Sequence, residues 1–396
     1  MTIDIRPLDD GGGTTGGLGG GTAGGLGSTV RNRDLNAAWR HVDVVLCALV
    51  ATTAAFGSLM IYSATRHRSD PTELISKHLI YVMVGVGAMA LCAAVDYERL
   101  RSLSRLIYIG CLGALGLVLV PGIGALHKGI RAWFDIGPIQ IQPAEPAKLA
   151  VIILLASYLG SLERILVRHA VVALVMLGAP MALIMLQPDL GTTLVFVVIG
   201  AGMLLVAGVP ARFLIALMVI SVVGVIGILK SDTLDQYQRD RLTAFAAPDS
   251  ASGDITYNTK QAQTAIASGG TTGKGLFDGP QTKGGFVPEQ QTDFIFTVPG
   301  EELGFVGSVV LLLLLGGIVW RTWRIAGLAS DRVGMLMSVG VLCLFAFHIF
   351  ENVGMNLGIM PVTGIPLPFV SYGGSSTITA FAGMGLVLNV HMRRYR

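Results

Sequence analysis

From residue 42 to the C-terminus the chain keeps returning to one pattern, an apolar run close to the length needed to cross a bilayer, which is roughly 20 residues for a helix. Ten such runs are legible, at 42–62, 78–95, 104–125, 146–162, 168–187, 190–208, 211–229, 301–320, 333–357 and 372–391. Of the 396 residues 52% are hydrophobic and only 13% charged, where a soluble domain carries about 25% charged residues. Lipid is therefore the solvent this composition suits. The expected fold is an all-α polytopic membrane protein of about ten transmembrane helices, with a large extracytoplasmic loop at 230–300 between the seventh and eighth. The net charge of +3 offers no concentrated basic face, so no nucleic acid is expected as a partner.

Residues 1–40 stand apart from this pattern. Gly11 to Gly27 are almost entirely Gly, Thr, Leu and Ala, and glycine loses the most backbone entropy on ordering, so a disordered cytoplasmic tail is expected. The stretch lacks the basic region, apolar core and cleavage site of a secretory signal. Residues 41–396 then read as one transmembrane domain. Alternating sides from a cytoplasmic start puts sixteen of the 28 Lys and Arg residues inside, among them Arg31, Arg33, Arg99, Arg101, Arg321, Arg324, Arg393 and Arg394. Six fall on the short outer loops and their edges: Arg66, Arg68, Lys77, Lys128, Arg131 and Lys148. The positive-inside rule thus places both termini in the cytoplasm, with the chain in the cytoplasmic membrane. Cys47, Cys92, Cys111 and Cys343 all lie within apolar runs and read as small packing residues rather than metal ligands or disulfide partners. No internal repeat emerges, so symmetry does not favour an inverted-repeat transporter.

Polar residues within a span are costly and mark partners or water-filled cavities. Here they collect in three outer segments: 127–148, 230–302 and 348–377. In the first, Glu145 and Lys148 are three apart and share a helix face; a structural ion pair and a charged wall of a substrate cavity are compatible readings of them. The second contains Ser268-Gly-Gly-Thr-Thr-Gly-Lys-Gly275. This fails the nucleotide-binding P-loop pattern, because Ser268 replaces its first Gly and Gly275 its hydroxyl residue. A looser role remains, in which backbone N–H groups and Lys274 hold a phosphate-bearing headgroup; the alternative is a flexible basic loop. Farther on, Asp293 leads into an apolar run, and reads either as a helix N-cap or as a general base. Glu289, four residues earlier, would share its face if the segment were helical and rivals it for the base role.

In the third segment His348 and Glu351 have a spacing used in di-metal bundles, but no second copy exists, and inter-helix hydrogen bonding is the competing account. The Pro/Gly-dense run from Pro361 to Ser376 cannot be a regular helix. At membrane depth such backbone is tolerated only under protein cover or beside a cavity, so a re-entrant or cavity-lining segment is expected.

These residues resemble the SEDS family of RodA, FtsW and SpoVE. The resemblance is carried by Asn352, Gly358, Pro361, Gly364 and Ser371-Tyr-Gly-Gly-Ser-Ser376, with Gly57-Ser-Leu-Met-Ile-Tyr-Ser63, Asp96-Tyr97, Gln187-Pro-Asp-Leu-Gly-Thr192, Thr292-Asp-Phe-Ile-Phe296 and Gly300-Glu-Glu302 also typical. It covers roughly residues 40–396, and Pro361 to Phe369 looks most like RodA, the elongation member. Ala132 before Trp133 and Ala144 before Glu145 depart from the usual family residues. The resemblance implies a peptidoglycan glycosyltransferase that polymerises lipid II into β-1,4 glycan strands, with inversion and release of undecaprenyl pyrophosphate, for cell elongation and shape. It makes Asp293 the catalytic base. Arg239, Arg241 and Lys274 are the candidate cations for the leaving group, and Glu145 and Lys148 match a family ion pair. Trp133, Gln263, Glu289, Thr292 and Ser371 complete the expected substrate-binding set. No cofactor is required by the resemblance, a divalent cation (Mg or Mn) being the one left open. Expected partners are a class B penicillin-binding protein that cross-links the strands, other elongasome proteins, and the surrounding membrane lipid. A lipid II flippase and a non-catalytic scaffold are the competing readings. A flippase needs polar groups along its whole path, whereas those of this chain gather towards one face.

Overall fold

The computed structural model describes residues 38–395 apart from 69, 128–129, 138, 211, 218 and 220–253. Most of the seventh expected run, the Gly-rich tail, Arg239 and Arg241 lie outside the described residues. In chain order the elements are α1 (Val44–Thr65), α2 (Pro71–Ala94), α3 (Tyr97–Val118), β1 (Ala125–His127), β2 (Ile130–Ile136) and β3 (Ile139–Ile141). There follow α4 (Ala144–Gly160), α5 (Val167–Met185), α6 (Leu190–Ala207), α7 (Asp254–Gly269), α8 (Pro280–Gly284), α9 (Thr297–Glu302), α10 (Gly304–Gly327), α11 (Arg332–Leu357) and α12 (Gly374–Met392). The polytopic helical fold expected from the apolar runs is the one observed. Seven of the described helices are long and apolar enough to cross a membrane.

Aspartates start many of these helices. Asp43 Oδ1 accepts the Leu46 N–H at 3.0 Å, Asp96 that of Glu98 at 3.1 Å, Asp189 that of Thr192 at 2.9 Å and Asp331 that of Gly334 at 2.8 Å. Asp70 accepts from Thr72 and Glu73, with Pro71 in the first turn. A carboxylate at this position satisfies first-turn donors that have no partner in the helix. This moves α3 away from its apolar run: the Asp96 cap starts it at Tyr97 rather than near 104, so Arg99, Arg101 and Arg105 ride on its first turns. Its other end falls at Val118, ahead of Pro121 and Gly122. The residues beyond form a small antiparallel sheet in the order β1-β2-β3, pairing Leu126 with Arg131 and Phe134 with Ile141. The sheet is an addition to the helical architecture that apolar periodicity did not foretell.

Helix α4 is the centre of the bundle. It has only 17 residues, yet 13 are buried, and α3, α5, α6, α11 and α12 all pack on it. Helices α2 and α3 are peripheral and turn Met83, Leu91, Leu106 and Ile109 outward, as suits side chains facing lipid. Because lipid is as apolar as a leucine side chain, close contact between elements is set by shape. Gly57 of α1 shows this: a Cβ there would overlap the Phe369 carbonyl oxygen and stand 2.5 Å from Val370 Cα. The expected result for Gly57→Leu is a loss of about 1–3 kcal/mol, the usual cost of overpacking, read as a lower thermal midpoint of the detergent-solubilised protein. A midpoint equal to wild type would show that the 369–370 backbone does not depend on this approach.

Polar contacts define the two ends of the bundle. At one, Arg321 Nε of α10 meets Asp43 Oδ2 at 2.7 Å, His391 Nε2 of α12 lies 3.7 Å from the same oxygen, and Arg393 Nε lies 3.5 Å from Asp96 Oδ1. Arg332 Nη2 reaches the Ala207 carbonyl at 3.1 Å there. At the other end lie the sheet, α7 to α9 and the irregular run before α12. The Arg-rich helix ends and the polar candidate residues therefore occupy opposite ends.

Candidate active site

Asp293 lies in a string of turns, residues 288–296, that enters α9. Phe294, Ile295 and Phe296 behind it are buried, with Phe294 packed among Ala262, Ala265, Val287 and the half-buried Val362. Asp293 itself is half-buried. Its place is fixed through its backbone: the Asn352 Nδ2 amide donates to the Asp293 carbonyl oxygen at 2.9 Å and Asn356 Nδ2 donates to it at 3.2 Å. Asn352 Nδ2 also donates to the Ile365 carbonyl at 2.8 Å. One side chain of α11 thus joins the Asp293 turn to the irregular run. The N-cap of α9 is Phe296, with no side-chain cap, so Asp293 does not serve as that helix's cap.

The segment around Asp293 is not helical, so Glu289 does not share a helix face with it. Glu289 is exposed and holds a φ of +50°, a left-handed conformation uncommon outside glycine. Its carbonyl accepts the Thr292 N–H and hydroxyl, both at 3.1 Å, which closes the turn before Asp293. Gln290 is buried and donates to Thr282 Oγ1 and Thr297 Oγ1. Gln291 O accepts the Tyr372 N–H at 2.8 Å, a second tie to the signature before α12.

Glu145 and Lys148 form a buried pair at 2.8 Å, 4% and 1% exposed as residues. Lys148 Nζ also lies 3.4 Å from His348 Nε2, and His348 Nδ1 lies 3.2 Å from the Pro366 carbonyl. These three residues and Ser371 line a cavity of ≈ 20 Å³. A cavity needs roughly 10–15 Å³ of such space to hold a water, so this one admits a water but no sugar. Glu145 and Lys148 accordingly brace the site from below in this conformation. Ser371 is buried, its hydroxyl accepting the Leu367 N–H at 2.8 Å. Beside the cavity Phe369, at φ +63°, is stacked on Phe345 and set edge-on to Phe381. The aromatic packing supports a conformation that a bulky residue rarely adopts.

The remaining expected residues are dispersed. Gln263 Nε2 of α7 donates to the Leu357 carbonyl at 3.3 Å and ties α7 to the end of α11. Lys274 is exposed, but the neighbouring backbone is spoken for: Gly273 N–H donates to Gly269 O, Lys274 N–H to Glu301 O and Gly275 N–H to Glu302 O. The loop therefore presents the Lys274 ammonium and no backbone phosphate cradle at these three amides. Glu301 secures the same loop, its carboxylate accepting the N–H groups of Gln281 and Thr282 and the Thr282 hydroxyl. Nearby, Lys283 bonds the exposed Asp278 at 2.6 Å and holds its carboxyl below the usual range. Trp133 is half-buried in β2 opposite Ala125. Its sheet is anchored to α12, where Ser375 Oγ accepts the Gln142 N–H at 2.9 Å and donates to Gln140 O. Among the described residues no group of three or more His, Cys, Asp or Glu could hold a metal ion.

Asn356 was absent from the sequence-derived candidates, and so was a link from His348 to the Asp293 platform. A signal for both existed. His348, Asn352 and Asn356 recur every fourth position along a largely apolar helix, which places them on one face.

Comparison with known proteins bears on what this platform serves. The family model of FtsW, RodA and SpoVE, described as cell cycle proteins, matches residues 43–396. The chain belongs to this family. Stage V sporulation protein E of Bacillus subtilis is 36% identical over 88% of the chain and 96% of its own length. Peptidoglycan glycosyltransferase MrdB of Escherichia coli is 34% identical over 89% and 94%. Among solved structures, a chain from a peptidoglycan synthase complex described as coordinating polymerization and crosslinking superposes with a TM-score of 0.77 at 32% identity, covering 90% of this chain and 99% of that one. The rod shape determining protein RodA of Thermus thermophilus does so at 0.67 and 33% identity, covering 90% and 98%. The SEDS membership, all-α membrane fold and multi-pass character expected from sequence thus hold.

Proposed function

We propose that this family member is a peptidoglycan glycosyltransferase that polymerises lipid II at the outer face of the cytoplasmic membrane, both termini being cytoplasmic. The observation that carries the proposal is the immobilised Asp293 turn, held by two asparagines of α11 at the bundle end opposite the Arg-rich helix ends. Asp293 takes the proton of the acceptor GlcNAc 4-hydroxyl as that oxygen attacks C1 of the donor MurNAc. The O4–C1 bond forms as the C1–phosphate oxygen bond breaks, the configuration inverts, and undecaprenyl pyrophosphate leaves. Its negative charge is answered by Arg239, Arg241 and Lys274. A divalent cation (Mg or Mn) would add to this neutralisation of the leaving group's charge.

Names of relatives support the activity, MrdB being called a peptidoglycan glycosyltransferase. The likeness to a chain of a synthase complex supports a class B penicillin-binding protein as the partner that cross-links the product, alongside other elongasome proteins. The run from Pro361 to Phe369 favours the elongation role over division. The test is incubation of the purified chain and its transpeptidase with labelled lipid II. Glycan strands are the expected product; lipid II moved across a vesicle bilayer with no polymer formed would select the flippase instead.

A further inference from the structure

We propose that His348 is a positioning residue for Asp293, acting through its Nδ1–H on the Pro366 carbonyl; the inference rests on the reading of Asp293 as the base. His348, Asn352 and Asn356 form one buried stripe on α11, and all three meet carbonyl groups of non-helical chain. His348 Nδ1 reaches Pro366 O, Asn352 Nδ2 reaches Ile365 O and Asp293 O, and Asn356 Nδ2 reaches Asp293 O.

The imidazole is oriented from both sides. A carbonyl only accepts, so Nδ1 carries the hydrogen and Nε2 presents its lone pair. That lone pair faces Lys148 Nζ, a group that only donates. Glu145 in turn holds Lys148 at 2.8 Å. The buried ion pair thereby selects the tautomer that bonds Pro366, much as the far nitrogen's partner orients a metal-binding histidine.

Pro366 adjoins Ile365, and Asn352 has two amide hydrogens shared between Ile365 O and Asp293 O. If the 365–366 backbone drifts, the amide must follow one segment and relax its hold on the other. His348 prevents that drift. Its effect on the reaction is through the placement of Asp293, where a displacement of about 1 Å can cost on the order of a hundredfold in rate.

Three substitutions separate the two ring nitrogens. His348→Asn puts an amide N–H near the Nδ1 position, His348→Gln puts one near Nε2, and His348→Leu supplies neither. In the complex with its transpeptidase, the Gln and Leu variants should lose kcat by about tenfold or more while KM for lipid II stays within about twofold. The Asn variant should recover most of kcat. Backbone amide exchange at 291–296 and 363–371 should quicken in the Gln and Leu variants and not in the Asn variant. Wild-type kcat in His348→Gln, an effect confined to KM, a failure of Asn to rescue, or lost kcat with unaltered exchange would each overturn the proposal. Asp293→Asn serves as the reference, expected to lose kcat with exchange unchanged. The exchange series is read without turnover, so a wild-type protein that makes no glycan would refute the glycosyltransferase reading and leave the hold of His348 on 291–296 separately decided.

Discussion

Asp293→Asn is expected to abolish glycan synthesis from lipid II while the protein remains folded and bound to its transpeptidase. The substitution removes the carboxylate proposed as the proton acceptor but keeps the main-chain carbonyl that Asn352 and Asn356 grip. The N-cap position of the α9 helix after it is Phe296, and asparagine keeps a side-chain oxygen that can accept hydrogen bonds where the aspartate stood. General-base catalysis contributes about 10²–10⁴-fold, and a loss of that order in kcat is the expected reading. Strand synthesis is measured as polymer from labelled lipid II, and folding as an unchanged thermal midpoint and co-purification with the partner. Polymerisation at the wild-type rate would remove Asp293 from the mechanism. Inactivity with a collapsed thermal midpoint would make it structural.

Lys148→Met is the second large effect, and it falls on stability. Lys148 and Glu145 are a desolvated pair. Removing one partner of such a pair leaves a buried charge uncompensated, at a cost of about 3–5 kcal/mol. The variant should show a markedly lower thermal midpoint in detergent. The double variant Glu145→Gln/Lys148→Met should recover much of the loss, because no lone charge then remains. A single variant as stable as wild type would overturn the argument from an uncompensated buried charge. Catalysis should fall along with stability, since Lys148 also supports the His348 ring beside the 365–366 backbone.

Both effects turn on residues that could be named from the chain, but with relationships that could not. Asp293 and Glu289 were four apart and looked like rivals on one face. Turns at 288–296 and a left-handed φ at Glu289 separate them. Lys274 and its glycines looked like an anion loop, and backbone bonds to Gly269, Glu301 and Glu302 occupy three of the amides. The spacing of Glu145 and Lys148 is enough to pair them on one helix face; their burial against a cavity the size of a water depends on how distant helices pack. The helix starts were partly hidden too, because an Asp cap with charged residues in the first turns, as in α3, does not look apolar.

Run length and short-range spacing are properties of neighbouring residues, and they determined the multi-pass helical class, most helix positions and the Glu145–Lys148 pair. Hydrogen bonds between residues far apart in the chain decided the rest. Asn352 lies 59 residues from Asp293 and His348 lies 200 from Lys148. No local pattern encodes which distant carbonyl an asparagine or histidine will meet, because that depends on how the helices and the irregular run pack together. Tertiary structure alone turned a polar stripe on α11 into the support for a carboxylate.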